Sequence, residues 1–159
     1  MTLMNFLFEY GGIVVAALGI GLVVALPGMG SARGAAMIGE AAAGIMVDGG
    51  VKFGKSLILQ LMAASQGLYG FVVAIMALGS LSLEMSLQQG LFVFAAVMPM
   101  AIVGYFSAIS QSEVATAGIS LLAKNEAEMT KAIIYSVMVE TYALLALVAS
   151  IILLNTVSF

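Results

Sequence analysis

Four long stretches without a charged side chain constrain this chain more than any other feature. They run over Gly11–Ala32, Ser56–Leu83, Met85–Ser112 and Ala132–Phe159, the last interrupted only by Glu140. A helix rising ~1.5 Å per residue needs about 20 residues to cross a hydrocarbon core ~30 Å thick, and each stretch is at least that long. Charged residues make up 8% of the chain and hydrophobic ones 63%, against roughly 25% charged residues in an ordinary soluble domain. The pattern predicts an all-α membrane protein with four transmembrane helices, not a soluble bundle with a greasy core. It leaves no separate soluble domain in which a conventional enzyme site could form. The first eight residues carry no basic side chain and the apolar run that follows is a full span, so a cleaved signal peptide is not expected.

Other absences narrow the chemistry. Without Cys or His there are no disulfides, thiol nucleophiles or usual soft-metal sites. A net charge of -3, scattered along the chain, gives no footprint for nucleic acid. No Walker-type Gly-x-x-x-x-Gly-Lys-Ser/Thr sequence is present, so nothing suggests that the chain hydrolyses ATP itself.

The basic residues set an orientation. Lys52 and Lys55 lie between the first two spans and Lys124 and Lys131 between the last two, while Arg33 lies within the first helix. By the positive-inside tendency, loops 47–55 and 124–131 face the cytoplasm. The termini and the Ser80–Gln89 turn, which carries Glu84 and no Lys or Arg, then face outward. Helices are expected at about 11–46, 55–80, 86–123 and 129–156.

Shifted by 76 residues, the sequence aligns with itself: Gly28, Ser31 and Ala32 fall on Gly104, Ser107 and Ala108, Ala41 on Ala117, Lys55 on Lys131 and Met62 on Met138. Two tandem helical hairpins of the same orientation follow, at residues 1–83 and 84–159. In that register Ala64 stands opposite Glu140, so one chain holds one acidic site. Small residues recur at four-residue spacing in Gly30–Gly34, Ala35–Gly39 and Ala32–Ala36–Glu40–Gly44, with Gly104, Ala108, Ala115 and Gly118 offering a similar lining in the third helix. Such rows let helices approach closely in lipid, either as the inner wall of an assembly or within one bundle.

Glu140 lies nine residues beyond Lys131, about 14 Å along a helix and so close to the bilayer midplane. An ionisable group at that depth costs at least ~2.5 kcal/mol on insertion scales and marks a functional site by default; the bland alternative is a protonated Glu bonded between helices. Ser65 and Gln66 come to the same level, roughly 15–16 Å from Lys55, and Gln111 reaches it if the third helix overhangs the membrane by about a turn. A proton carrier needs only the carboxyl group and a shielding wall, whereas a sodium site needs several hard oxygen donors, which Glu140, Gln111, Gln66 and Ser65 supply. Tyr69 follows Gln66 by three residues, shares its helix face and can offer a hydroxyl to the carboxylate.

The segments "LILQLMAASQGLYGF", "SAISQSEVATAGI" and "MVETYALL" closely resemble the membrane rotor-ring subunit (subunit K, the proteolipid or c-type subunit) of bacterial sodium-translocating V-type ATPases, over almost the whole chain. The resemblance implies a homo-oligomeric ring in the plasma membrane, turning against a stator membrane subunit with an essential arginine while soluble domains elsewhere hydrolyse ATP. It places ion ligands at Glu140, Gln111, Gln66, Ser65 and the main-chain carbonyl of Met62, with Tyr69 locking the glutamate, and Na+ as the ion carried. A central-stalk subunit would dock on loops 47–55 and 124–131, and Arg33 would meet lipid headgroups or the ring interior. Relatives commonly have Thr at Ser65 and often Pro-Gly at Ala63–Ala64. Without that proline a straighter second helix, keeping the Met62 carbonyl in its own hydrogen bonding, is the expectation. Three other functions stay open: the same rotor carrying H+, a small cation/proton exchanger, and a structural proteolipid with no coupling role.

Overall fold

The computed structural model describes residues 2–47 and 49–156, so Asp48 of the first predicted loop and residues 157–159 of the fourth run lie outside it. Among the described residues five α-helices follow one another, α1 Leu3–Met46, α2 Phe53–Met62, α3 Ser65–Leu78, α4 Leu87–Lys124 and α5 Met129–Thr156, with one 3-10 turn at Glu126–Glu128. Among the described residues there is no strand. Four stretches, Phe8–Met46, Phe53–Leu78, Leu87–Lys124 and Glu126–Thr156, are long and apolar enough to cross a membrane. The second is α2 and α3 taken together.

Local chemistry fixes several ends. Thr2 caps α1 by accepting from the Asn5 amide at 3.3 Å, so this helix starts well before the apolar run that predicted it. Ser86 and Gln89 form a reciprocal capping box at the start of α4. Asn125, extended at φ -153°, ends α4, and its side chain accepts from the Ala127 amide to start the 3-10 turn.

Helices α1 and α4 run side by side in the same direction: Gly12 meets Met85 and Ser86, Gly30 meets Tyr105 and Ala108, and Gly34 meets Ser112. A Cβ on Gly30 would sit 2.7 Å from the Tyr105 carbonyl oxygen, so only glycine permits this approach. The second span runs antiparallel to α1, with Gly70 against Val23 and Pro27 and the Gln60 amide donating to the Ala35 carbonyl at 3.0 Å. Helix α5 runs antiparallel to α4: the Ser150 hydroxyl accepts from the Met100 amide at one end, and Ala132 packs against Gly118 at the other.

The small-residue rows divide by direction. Gly30 and Gly34 face α4, and Gly39 faces Gln60 of α2. Ala32, Ala36, Glu40 and Gly44 are exposed along the opposite side of α1. Two apolar clusters fill the interior. One gathers Ile20, Val23, Val73, Val97 and Met100, and the other Ile38, Leu59, Ala115, Ile119 and Leu122. Buried polar residues separate them along the chain, Gln66 in the second span and Gln111 and Ser112 in α4.

The second span departs from the straighter helix expected of Ala63–Ala64. The α-helix stops at Met62 and restarts at Ser65, and between them Ala63 and Ala64 take ψ of -11° and -13°, well away from the α-helical ~-42°. The Ala64 amide makes a tight i→i−3 bond to Leu61 at 3.1 Å. Proline is therefore not required for the interruption.

Candidate ion-binding site

Glu140 comes from the middle of α5, and side chains of α3 and α4 close on it. The Tyr69 hydroxyl donates to Oε1 at 2.6 Å, and the Gln111 amide nitrogen donates to Oε2 at 3.2 Å. The Gln66 amide nitrogen donates in turn to Gln111 Oε1. Both glutamines are fully buried, whereas Glu140 is half-buried at the outer edge of the group. Helix geometry makes this possible, since Gln66 and Tyr69 share a face of α3 at i, i+3.

Ser65 is placed differently. Its hydroxyl donates to the Met62 carbonyl at 2.9 Å and stands beside the Tyr69 hydroxyl. The Met62 carbonyl, at the C-terminal end of α2, is thus turned towards the Ser65 side chain instead of being left wholly to the helix ladder. All six residues singled out in the sequence, Met62, Ser65, Gln66, Tyr69, Gln111 and Glu140, lie on one connected set of hydrogen bonds or beside it.

One atom in this set stands out. Gln66 Oε1 is buried and has no hydrogen-bond partner. A buried acceptor without a donor costs about 1–3 kcal/mol, so such an atom calls for an explanation. Both oxygens of Glu140, by contrast, already accept. Glu140 is the one formally charged residue of this set, and among the described residues no three His, Cys, Asp or Glu side chains gather to hold a metal ion. The site thus offers one negative charge and several neutral oxygens, a donor set suited to a monovalent cation and poor for a divalent one.

Two contacts escaped the reading of the sequence. The Ser31 hydroxyl of α1 accepts from the Gly67 amide at 2.9 Å, beside the break. The Ser107 hydroxyl of α4 donates to the Val139 carbonyl at 3.3 Å, next to Glu140. The repeat that lays Ser31 on Ser107 was the available signal. An apolar hollow of about 270 Å³ between α4 and α5, lined by Ile102, Phe106, Ser107, Val139 and Tyr142, adjoins this second contact.

Four apolar spans, with the Glu140 carboxylate bonded on both oxygens by neighbouring helices, define a membrane proteolipid. A family model for the C subunit of ATP synthase matches residues 18–77 and 94–153, and the two matches begin 76 residues apart, the shift that aligns the sequence with itself. The chain belongs to this ATP synthase C-subunit family. It is 47% identical over 145 residues to the V-type sodium ATPase subunit K of Enterococcus hirae, covering 91% of this chain and 93% of that one. It is 35% identical over 150 residues to the A-type ATP synthase subunit K of Methanocaldococcus jannaschii, covering 89% of this chain and 62% of that one.

Proposed function

We propose that this chain is the ion-carrying rotor-ring subunit of a rotary V-type ATPase. Each copy loads one Na+ at Glu140 and carries it across the membrane while ATP is hydrolysed elsewhere in the complex. The observation that carries this reading is the bonding pattern at the site: both Glu140 oxygens act as acceptors while the buried Gln66 Oε1 has no donor. A carboxylate whose two oxygens both accept, joined through Gln111 to an unpaired buried amide oxygen, is a set of oxygens that a cation would complete. The cargo ligands are Glu140, Gln111, Gln66, Ser65 and the Met62 carbonyl. The Tyr69 hydroxyl holds the carboxylate without itself being a ligand. The similarity to a subunit of a sodium ATPase supports Na+ over H+.

Electrostatics then accounts for directed movement. A loaded site is close to neutral and can face lipid, while an unloaded Glu140 is a bare charge that hydrocarbon rejects. Release falls to an essential arginine of the stator membrane subunit, which lowers the ion's hold on Glu140 between two aqueous half-channels. The exposed Ala32–Ala36–Glu40–Gly44 row and Arg33 suit the interior and the copy-to-copy contacts of a homo-oligomeric ring. Hairpins 1–83 and 84–159 are its repeated units, each with one long inner helix and one outer span.

Loops 47–55 and 124–131 face the cytoplasm of a bacterial cell, with the termini outside. Glu126 binds Lys52 at 3.0 Å and Lys55 at 3.2 Å, which joins the two loops into one mixed-charge surface for a central-stalk subunit.

Carbodiimide labelling of Glu140 in the purified ring, read by intact mass, tests the reading, because the reagent attacks a protonated carboxyl and a bound cation suppresses it. Millimolar Na+ is expected to protect while K+ does not. Protection by raised pH alone, with no effect of Na+, makes this a proton ring and reduces the amides to packing partners.

A further inference from the structure

The two halves of the molecule contain a controlled comparison. Under the 76-residue shift, Ser31, Met62, Ala63, Ser65 and Gly67 correspond to Ser107, Met138, Val139, Thr141 and Ala143. One local bond is the same in both halves: Ser65 donates to the Met62 carbonyl at 2.9 Å and Thr141 to the Met138 carbonyl at 2.7 Å. Yet the second span breaks at Ala63–Ala64 while α5 runs unbroken from Met129 to Thr156. The hydroxyl back-bond therefore does not cause the break.

What differs is the sense of the bond from the long helix. Ser107 donates to the Val139 carbonyl at 3.3 Å, adding a second donor to a carbonyl that the continuous helix already uses. Ser31 instead accepts, taking the Gly67 amide at 2.9 Å. In a continuous helix that amide would donate to the Ala63 carbonyl. A Cβ at Gly67 would stand 3.4 Å from the Gly28 Cα and from the Ser31 side chain, an ordinary contact, so the approach reflects the close packing of the two helices and not a demand for glycine. Ser31 is itself only 6% exposed, so water competes poorly for its oxygen.

We propose that Ser31 is a positioning residue for the ion site: by capturing the Gly67 amide, whose helical partner would be the Ala63 carbonyl, it holds the second span open at Ala63–Ala64 and so keeps the adjacent Met62 carbonyl turned towards Ser65 and the cargo without a proline. The first half thus has a broken helix supplying backbone oxygen and amide ligands, and the second an intact helix supplying the carboxylate. This rests on the ion-carrying reading of Glu140, and its test separates the two.

Half-protective Na+ concentrations for carbodiimide labelling of Glu140 are measured on assembled rings of wild type, Ser31→Ala and Ser31→Thr. Loss of one buried neutral hydrogen bond predicts roughly a fivefold rise for Ser31→Ala, and retention of the oxygen predicts little change for Ser31→Thr. A role in ring packing alone would lower the ring's thermal stability and leave the half-protective concentration where it was. If Ser31→Ala rings fail to assemble, Ser31→Cys, similar in size but a weak acceptor, carries the same expected rise. Wild type protected by Na+ with Ser31→Ala (or its Cys substitute) unchanged overturns this inference alone, as does an equal rise in Ser31→Thr. Wild type indifferent to Na+ overturns the ion reading beneath it.

Discussion

Replacing Tyr69 with Phe removes one hydroxyl and keeps the ring, which packs against the cluster around Val73 and Val97. The lost interaction is the 2.6 Å bond to Glu140 Oε1. A hydrogen bond to a charged group contributes about 1.5–3 kcal/mol to what it stabilises, and Tyr69 is only half-buried, so the lower end applies. At about 1.4 kcal/mol per factor of ten, that is roughly a tenfold weaker hold on Na+. The carboxylate would also swing out of the site more readily, so ion release should quicken more than binding slows. Because the proposed ligand set leaves out the Tyr69 hydroxyl, preference for Na+ over K+ should persist. The assay is Na+ protection of Glu140 against carbodiimide in the purified Tyr69→Phe ring, repeated with K+. A half-protective Na+ concentration matching that of wild type would refute the reasoning, because the hydroxyl would then contribute nothing to the closed site.

Glu140→Gln should abolish ATP-driven Na+ transport by the reconstituted complex while the ring still assembles, whereas a purely structural proteolipid would transport normally. Gly30→Ala pushes a Cβ to within 2.7 Å of the Tyr105 carbonyl and 3.1 Å of the Ala108 Cβ, so α1 and α4 must separate at a cost of about 1–3 kcal/mol, read as a lower melting temperature; Gly54→Ala, with nothing near its Cβ, should not lower it.

Much of the site was legible because depth in a membrane helix is close to a one-dimensional quantity. Counting residues from Lys55 and Lys131 brought Ser65, Gln66 and Glu140 to one level, and the structure joins Gln66 to Glu140 through Gln111. The i, i+3 relation of Gln66 and Tyr69 likewise indicated the face from which the hydroxyl reaches the carboxylate. Direction around a helix was harder to read. Several small-residue rows run along α1, and their spacing does not say that Gly30 and Gly34 face α4 while Ala32 and Ala36 are left exposed.

Four apolar spans, one carboxylate within the fourth of them and a repeat that sets Ala64 opposite it were all written in the chain, since charge, length and rise per residue need no neighbour to define them. The break of the second span without a proline, and the choice of donor for each oxygen of Glu140, came from packing. Those outcomes depend on bonds between residues far apart in sequence, such as Ser31 and Gly67 at a separation of 36 and Tyr69 and Glu140 at 71. A local propensity carries no term for an acceptor that arrives from another helix, and that acceptor redirects the backbone amide.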